Sequence, residues 1–193
     1  MTKRRSSRRA PRLRPRAPYR QGDLDGLCGL YSIVNAVRVL CPEVGNAGAS
    51  ALFDHVMQAL PLAGINVAIA VVGGIGRGVM ARLMRAAMRY VADEFDIELT
   101  ITRLPKAQRR SMSLDALWRA LGEELSPRCV AVLSLDGRHE HWTVAIGVTP
   151  QQISLYDSGE LGALRRSSCT VGRATARVSI APAHVFLIRR RGV

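Results

Sequence analysis

The sequence predicts a single α+β domain, in which helices come first and an antiparallel sheet follows. Apolar residues recur at helical spacing in the first half of the chain, whereas alternating and short apolar runs dominate the second half. A run of helices followed by a run of strands is the element order of α+β proteins. With 193 residues and 48% apolar content, the chain is long enough to bury a core in one domain.

Four helices are predicted from apolar spacing and end signals. The first begins at Cys28 and stops before Pro42, whose ring blocks continuation of a helix. Ser50 and Ser113 are candidate N-caps, because a serine hydroxyl accepts a hydrogen bond from the first turn. The predicted helices cover residues 28–40, 50–60, 79–95 and 113–125.

The stretch between the second and third predicted helices is rich in glycine and ambiguous. Residues 64–78 fit either a loop or a buried segment. The apolar run Ile65–Ile75 within this stretch is shorter than the roughly 20 residues that a membrane-spanning helix needs. We therefore expect this run to lie in the protein core.

Five strands are predicted in the second half of the chain. Ile97, Leu99 and Ile101 alternate with polar residues, which is typical of a strand with one buried face. Asp136-Gly137 is a turn signal between two later strands. The predicted strands cover residues 97–102, 129–135, 141–148, 153–156 and 185–188.

The positive charge is concentrated at the N-terminus. The net charge is +13, and residues 1–20 hold nine basic residues and no acidic ones. The sequence therefore predicts a disordered basic tail over residues 1–20 and a folded domain over residues 21–193. The tail is either a solvated arm or an arm that binds nucleic acid, an acidic partner or a membrane surface. Its basic residues are Lys3, Arg4, Arg5, Arg8, Arg9, Arg12, Arg14, Arg16 and Arg20.

Cysteine usage indicates a reducing environment. The four cysteines form no CxxC pair, and no apolar signal segment precedes the domain. Cytoplasmic localisation is the expectation, with secretion by a non-classical route left open. No metal or cofactor is predicted, since residues 73–78 lack both nucleotide-loop spacings and His139-Glu140-His141 lacks a recognisable third ligand.

Four residues in chain order suggest nucleophilic catalysis. Cys28 opens an apolar helix, where the positive end of the helix dipole stabilises a thiolate. His141 begins a predicted strand, and Asp157 follows the end of the next strand. Antiparallel pairing brings these two strand ends together, so that Asp157 can hold the imidazole beside the thiol.

Acyl transfer also needs donors for the developing oxyanion. The backbone N–H of Cys28 and the side-chain amide of Gln21 are the candidates, and Trp142 is placed to shield the imidazole from water. His139 is an alternative base, because it lies two residues before His141 and falls on the same side of an extended chain. The three remaining cysteines, Cys41, Cys129 and Cys169, are interpreted as inert buried thiols.

These segments resemble the papain-like cysteine peptidases, nearest to the small bacterial C39-like type. In that family a Gln precedes a Cys-Gly at a helix start, a His-aromatic pair opens a strand, and an Asp ends the next strand. The resemblance implies a helical lobe carrying Cys28 packed on a sheet carrying His141 and Asp157, with Gln21 as oxyanion donor. It spans roughly residues 19–190, although the specific matches are three short segments.

The sequence departs from the family pattern at three points. Leu27 stands where the family usually has Asp, the gap from Gln21 to Cys28 is about one residue longer, and Ser158 stands in place of a common Pro. The expected function is a thiol peptidase acting on a protein or peptide. A glutamine deamidase, a transglutaminase-like enzyme and an inactive binding module whose tail docks on nucleic acid or an acidic partner remain alternatives.

Overall fold

The computed structural model describes residues 17–22, 25–104, 112–137, 139–172 and 177–192. Its helices and antiparallel sheet confirm the α+β class. The helices are α1 (Cys28–Leu40), α2 (Gly45–Gln58), α3 (Val67–Gly73), α4 (Arg77–Phe95) and α5 (Leu114–Glu124), with short 3-10 helices at Pro42–Val44 and Arg166–Ser168. The strands are β1 (Leu99–Arg103), β2 (Cys129–Gly137), β3 (His141–Val148), β4 (Gln152–Tyr156), β5 (Ala163–Arg165), β6 (Cys169–Val171) and β7 (Val178–Arg190).

One seven-stranded sheet organises the domain. Its order is β1-β7-β2-β3-β4-β5, and β6 pairs with β7 outside this path. All pairs are antiparallel except β6 with β7. Strands β2, β3 and β4 are consecutive neighbours, which places the start of β3 beside the end of β4.

The sheet separates two apolar cores. Helices α1, α2 and α4 cover one face, where Val130 and Val132 of β2 contribute to the larger core. Helix α5 covers the other face, where Ala131 and Leu133 point into the smaller core. This alternation follows the two-residue period of a strand buried on both faces.

Several predicted elements are confirmed closely. Helix α1 and strand β3 have the predicted bounds, and the Ser113 hydroxyl caps α5 by accepting from the Ala116 N–H at 3.1 Å. Helix α2 begins at Gly45 rather than Ser50, because Gly45 adopts a φ of 66° that turns the chain directly out of the preceding 3-10 helix. Strand β7 covers Val178–Arg190, so it begins seven residues before the predicted start at residue 185 and ends two residues after the predicted end at residue 188.

Strands β5 and β6 were not predicted from the sequence. Each has only three residues, so neither is long enough to show an alternating pattern. Strand β5 extends the sheet beyond β4, and β6 runs beside the early part of β7. Pro182 lies within the first half of β7, and a proline is uncommon inside a strand. The sequence therefore does not show that the strand continues across this position.

The prediction that Ile65–Ile75 lies in the core is wrong for most of its length. This segment contains α3, which buries Ala70 but exposes Ile69 and Val72. Asn66 caps α3 by accepting from the Ala68 N–H at 2.8 Å, so the segment forms a surface helix. Within the described residues no single helix is long and apolar enough to cross a membrane; α3 and α4 together meet that test but are bent by 115° at their junction.

Candidate active site

The first residue of α1 lies in a cleft of about 450 Å³. One wall is the loop from α3 to α4, and the other is formed by the end of β2 and the start of β3. Gln21, Cys28 and His141 all line this cleft, and Asp157 lies behind His141. The structure therefore brings together the four residues that the sequence singles out.

Cys28 is held at the N-terminal end of α1. Its Sγ lies 3.8 Å from the Gly26 carbonyl oxygen, and the Leu27 side chain at the N-cap provides no hydrogen bond to the first turn. The first N–H groups of a helix have no acceptor within the helix. Backbone donors and the positive helix end are therefore available at the sulfur and at an oxyanion formed beside it.

His141 and Asp157 form a buried pair. The His141 Nε2 lies 2.8 Å from Asp157 Oδ1, and the Asp157 side chain is only 1% exposed. The other carboxylate oxygen accepts hydrogen bonds from the N–H groups of Gly159, at 2.7 Å, and Leu161, at 3.1 Å. These bonds fix the carboxylate, so it orients the imidazole with Nδ1 left for Cys28.

Both members of this pair have shifted pKa values. Burial lowers the pKa of His141, but hydrogen bonds and charge interactions with Asp157 and Cys28 outweigh burial and raise it from 6.5 to about 9. Burial raises the pKa of Asp157, yet its interactions with His141 bring the net value below the usual range. At neutral pH the pair is therefore an imidazolium and a carboxylate.

Two hydrogen bonds to backbone carbonyl groups position Gln21 in the cleft. Its N–H donates to the Ser158 carbonyl at 3.0 Å, and its side-chain amide donates to the Asp25 carbonyl. A primary amide carries two N–H donors, so one remains for a ligand in the cleft. Asp25 accepts from the N–H groups of Gly22 and Leu27, both at 3.0 Å, and so shapes the loop between Gln21 and Cys28.

The segment before Gln21 is attached to α1. Asn35 is fully buried, and its side chain accepts from the Tyr19 N–H at 2.8 Å and donates to the Tyr19 carbonyl at 3.0 Å. Tyr19 belongs to the predicted tail, but it contacts the body of the domain. Residues 17–20 of the predicted tail are among the described residues, and residues 1–16 lie outside them.

Two glycines bring the α3–α4 loop against the start of α1, next to Cys28. The Gly26 N–H donates to the Val71 carbonyl at 2.6 Å, and a Cβ on Gly26 would lie 2.7 Å from the Gly74 nitrogen. A side chain at Gly26 would therefore force the two backbones apart. The Trp142 indole N–H donates to the Ile75 carbonyl at 2.8 Å and holds the same loop against the sheet.

The far wall of the cleft contains residues that the sequence analysis missed. Arg77 donates through Nε to Ser134 Oγ at 3.0 Å and forms an ion pair with Asp136. Both charged side chains are more than one-third exposed in the cleft. The sequence offered only indirect signals, because Arg77 lies in the glycine-rich segment and Asp136 in a predicted turn.

The alternative base and the other thiols lie elsewhere. His139 lines a separate cavity with Leu161 and Arg165, away from the Cys28 cleft. Burial raises the pKa of the remaining cysteine thiols, to about 12 for Cys41 and about 11 for Cys129 and Cys169. A thiol with so high a pKa is almost wholly protonated at neutral pH and is a poor nucleophile.

Comparison with known proteins adds no relative: no protein-family model matches the chain, and no curated protein sequence is significantly similar to it. The resemblance to papain-like peptidases therefore stays a prediction from the sequence.

Proposed function

We propose that this protein is a cysteine-dependent acyl-transfer enzyme with a papain-like fold, most nearly a thiol peptidase of the C39-like type. The observation that carries the proposal is the convergence of Cys28, His141 and Asp157 at one cleft, with His141 bonded to Asp157 at 2.8 Å. The helix carrying Cys28 and the consecutive strands carrying His141 and Asp157 also support the papain-like topology.

In the proposed reaction, Cys28 Sγ attacks the carbonyl carbon of an amide. The carbon–sulfur bond forms, and the carbonyl electron pair moves onto oxygen, where the Cys28 N–H and the free Gln21 N–H stabilise it. His141 then gives its proton to the amide nitrogen as the carbon–nitrogen bond breaks. Water, deprotonated by His141, hydrolyses the thioester and releases the thiolate. Asp157 holds the ring and stabilises its protonated form throughout.

Gln21→Ala is expected to lower kcat by about 10²- to 10³-fold, the cost of removing one oxyanion donor. The effect should fall on kcat more than on KM, because the oxyanion exists only in the transition state and intermediate. Steady-state kinetics on an acyl substrate measure it. Gln58→Ala, an exposed glutamine at the end of α2, is the matched control. An unchanged kcat in Gln21→Ala would remove Gln21 from the mechanism.

The type of acyl transfer depends on which carbonyl group Cys28 attacks and on whether water or an amine accepts the acyl group. We would incubate the protein with a library of peptides and follow backbone cleavage, ammonia release from glutamine side chains and incorporation of an added amine by mass spectrometry. Backbone cleavage that requires Cys28 supports the peptidase. Ammonia release or amine incorporation identifies the deamidase or the transglutaminase-like alternative. No product of any kind, together with an unreactive Cys28, would favour the binding module.

A further inference from the structure

The exposed large aliphatic side chains of the described residues lie in one short stretch. They are Leu62 at 91% exposure, Val67 at 36%, Ile69 at 64% and Val72 at 85%. The large aliphatic residues elsewhere in the described chain are buried or half-buried. These four side chains all fall within residues 62–72. Exposed apolar side chains that form a contiguous patch mark an interaction surface.

Positive charge adjoins Leu62, the most exposed of these side chains. Arg82, Arg85 and Arg89 are exposed on α4, and their spacing of three and four residues places them on one helix face. They line a groove of about 220 Å³ together with Leu62. Between Asp54 and Asp93 the sequence contains no acidic residue. The surface is therefore apolar and cationic, with no acidic side chain from this stretch to offset the charge.

We propose that Leu62, Ile69, Val72, Arg82, Arg85 and Arg89 together form one apolar-basic face, and that this face docks on a bilayer that contains anionic phospholipids. Such a surface offers an apolar layer to the exposed aliphatic side chains and phosphate charge to the arginines. This charge complementarity selects an anionic bilayer over an uncharged one.

The apolar-basic face borders the candidate active site. Val72 belongs to both, because it is 85% exposed and also lines the cleft that contains Cys28. Docking through this face would bring the mouth of the cleft close to the bilayer. The docking proposal depends on surface side chains only, so it stands or fails independently of catalysis by Cys28.

The test is co-sedimentation of the full chain with vesicles of phosphatidylcholine alone and of phosphatidylcholine mixed with phosphatidylglycerol. We expect binding to the mixed vesicles only, weakened by salt. Leu62→Ser/Ile69→Ser/Val72→Ser should lower the partition coefficient by about tenfold or more. Arg85→Gln/Arg89→Gln should lower it by about 25-fold, since each arginine near an anionic surface contributes about a factor of five. Arg82 is left unchanged because it donates to the Ala63 carbonyl at 2.7 Å.

Two controls separate the face from other sources of binding. Arg119→Gln/Arg165→Gln removes the same charge at exposed positions on other elements and should have a much smaller effect. The second control is a full chain whose basic residues at positions 3–16 are replaced by glutamine. In this background the face variants should still lower vesicle binding. Binding that depends only on the tail and ignores the face variants would overturn the proposal. So would face variants that dissociate a dimer without changing vesicle binding.

Discussion

Cys28→Ala is expected to abolish acyl-transfer turnover, lowering kcat/KM by at least about 10⁴-fold. The substitution removes the atom that forms the covalent intermediate, and no other thiol is available to replace it. Cys41, Cys129 and Cys169 are buried, and burial raises the pKa of each to about 11 or 12. Residual turnover in Cys28→Ala would come only from the oxyanion donors and from substrate binding.

Cys169→Ala is the control for this experiment. It removes a buried thiol of the smaller core and should leave kcat/KM unchanged once the folded fraction is matched by circular dichroism. Initial rates with the best substrate from the peptide library provide the comparison. Equal losses in the two variants, or a kcat/KM in Cys28→Ala within about tenfold of the wild type, would contradict the assignment of Cys28 as nucleophile.

Asp157→Asn is expected to have the second-largest effect, lowering kcat by about 10²- to 10⁴-fold. The amide keeps the size of the side chain but removes its negative charge, so the imidazolium loses its main support. The pKa of His141, raised to about 9 in the wild type, should fall. NMR titration of the His141 ring measures this directly, with the control variant Asp115→Asn on the surface of α5. An unchanged His141 pKa would show that Asp157 does not support the ring.

The same substitution should change the pH dependence of stability. Because the folded-state pKa of His141 is raised from 6.5 to about 9, its stabilisation is complete below 6.5 and is lost as the pH rises through about 9. The lowered pKa of Asp157 gives stabilisation above its ordinary value of 3.8, which is lost as the pH falls through the folded-state value. Both contributions are complete between pH 3.8 and pH 6.5. In this range the free energy of unfolding of the wild type, measured by urea denaturation, should exceed that of Asp157→Asn by the largest amount, about 2 kcal/mol.

Local patterns were sufficient to predict the elements that carry the site. The apolar spacing of α1 stops shortly before Pro42, and β3 is mostly apolar from Trp142 to Val148, so both bounds were correct. The pattern failed for α3, because an apolar run does not reveal whether its side chains face the core or solvent. That outcome depends on where α3 lies relative to α4, which is a tertiary property.

The candidate site was predictable only for residues whose chemistry is visible in the sequence. Cys28, His141 and Asp157 belong to residue types that act together in catalysis. Each lies at the end of a predicted helix or strand, and this position indicated that they meet in the fold. Gly26 and Asn35 act through contacts with Val71 and Tyr19, which are distant along the chain. No local pattern marks such contacts, so these supporting residues emerged only from the fold.

The proposed pairing of Cys28 as nucleophile with His141 as base is tested most directly by the rate of Cys28 alkylation. Iodoacetamide modification of the folded protein would be followed by mass spectrometry across pH 5 to 9, in the wild type and in His141→Ala. We predict that Cys28 reacts rapidly at about pH 6, where an ordinary cysteine with a pKa of about 8.5 is almost all thiol, and that His141→Ala slows this reaction by about tenfold or more. A Cys28 that reacts as slowly as free cysteine at this pH, at the same rate in both proteins, would contradict the proposed pairing.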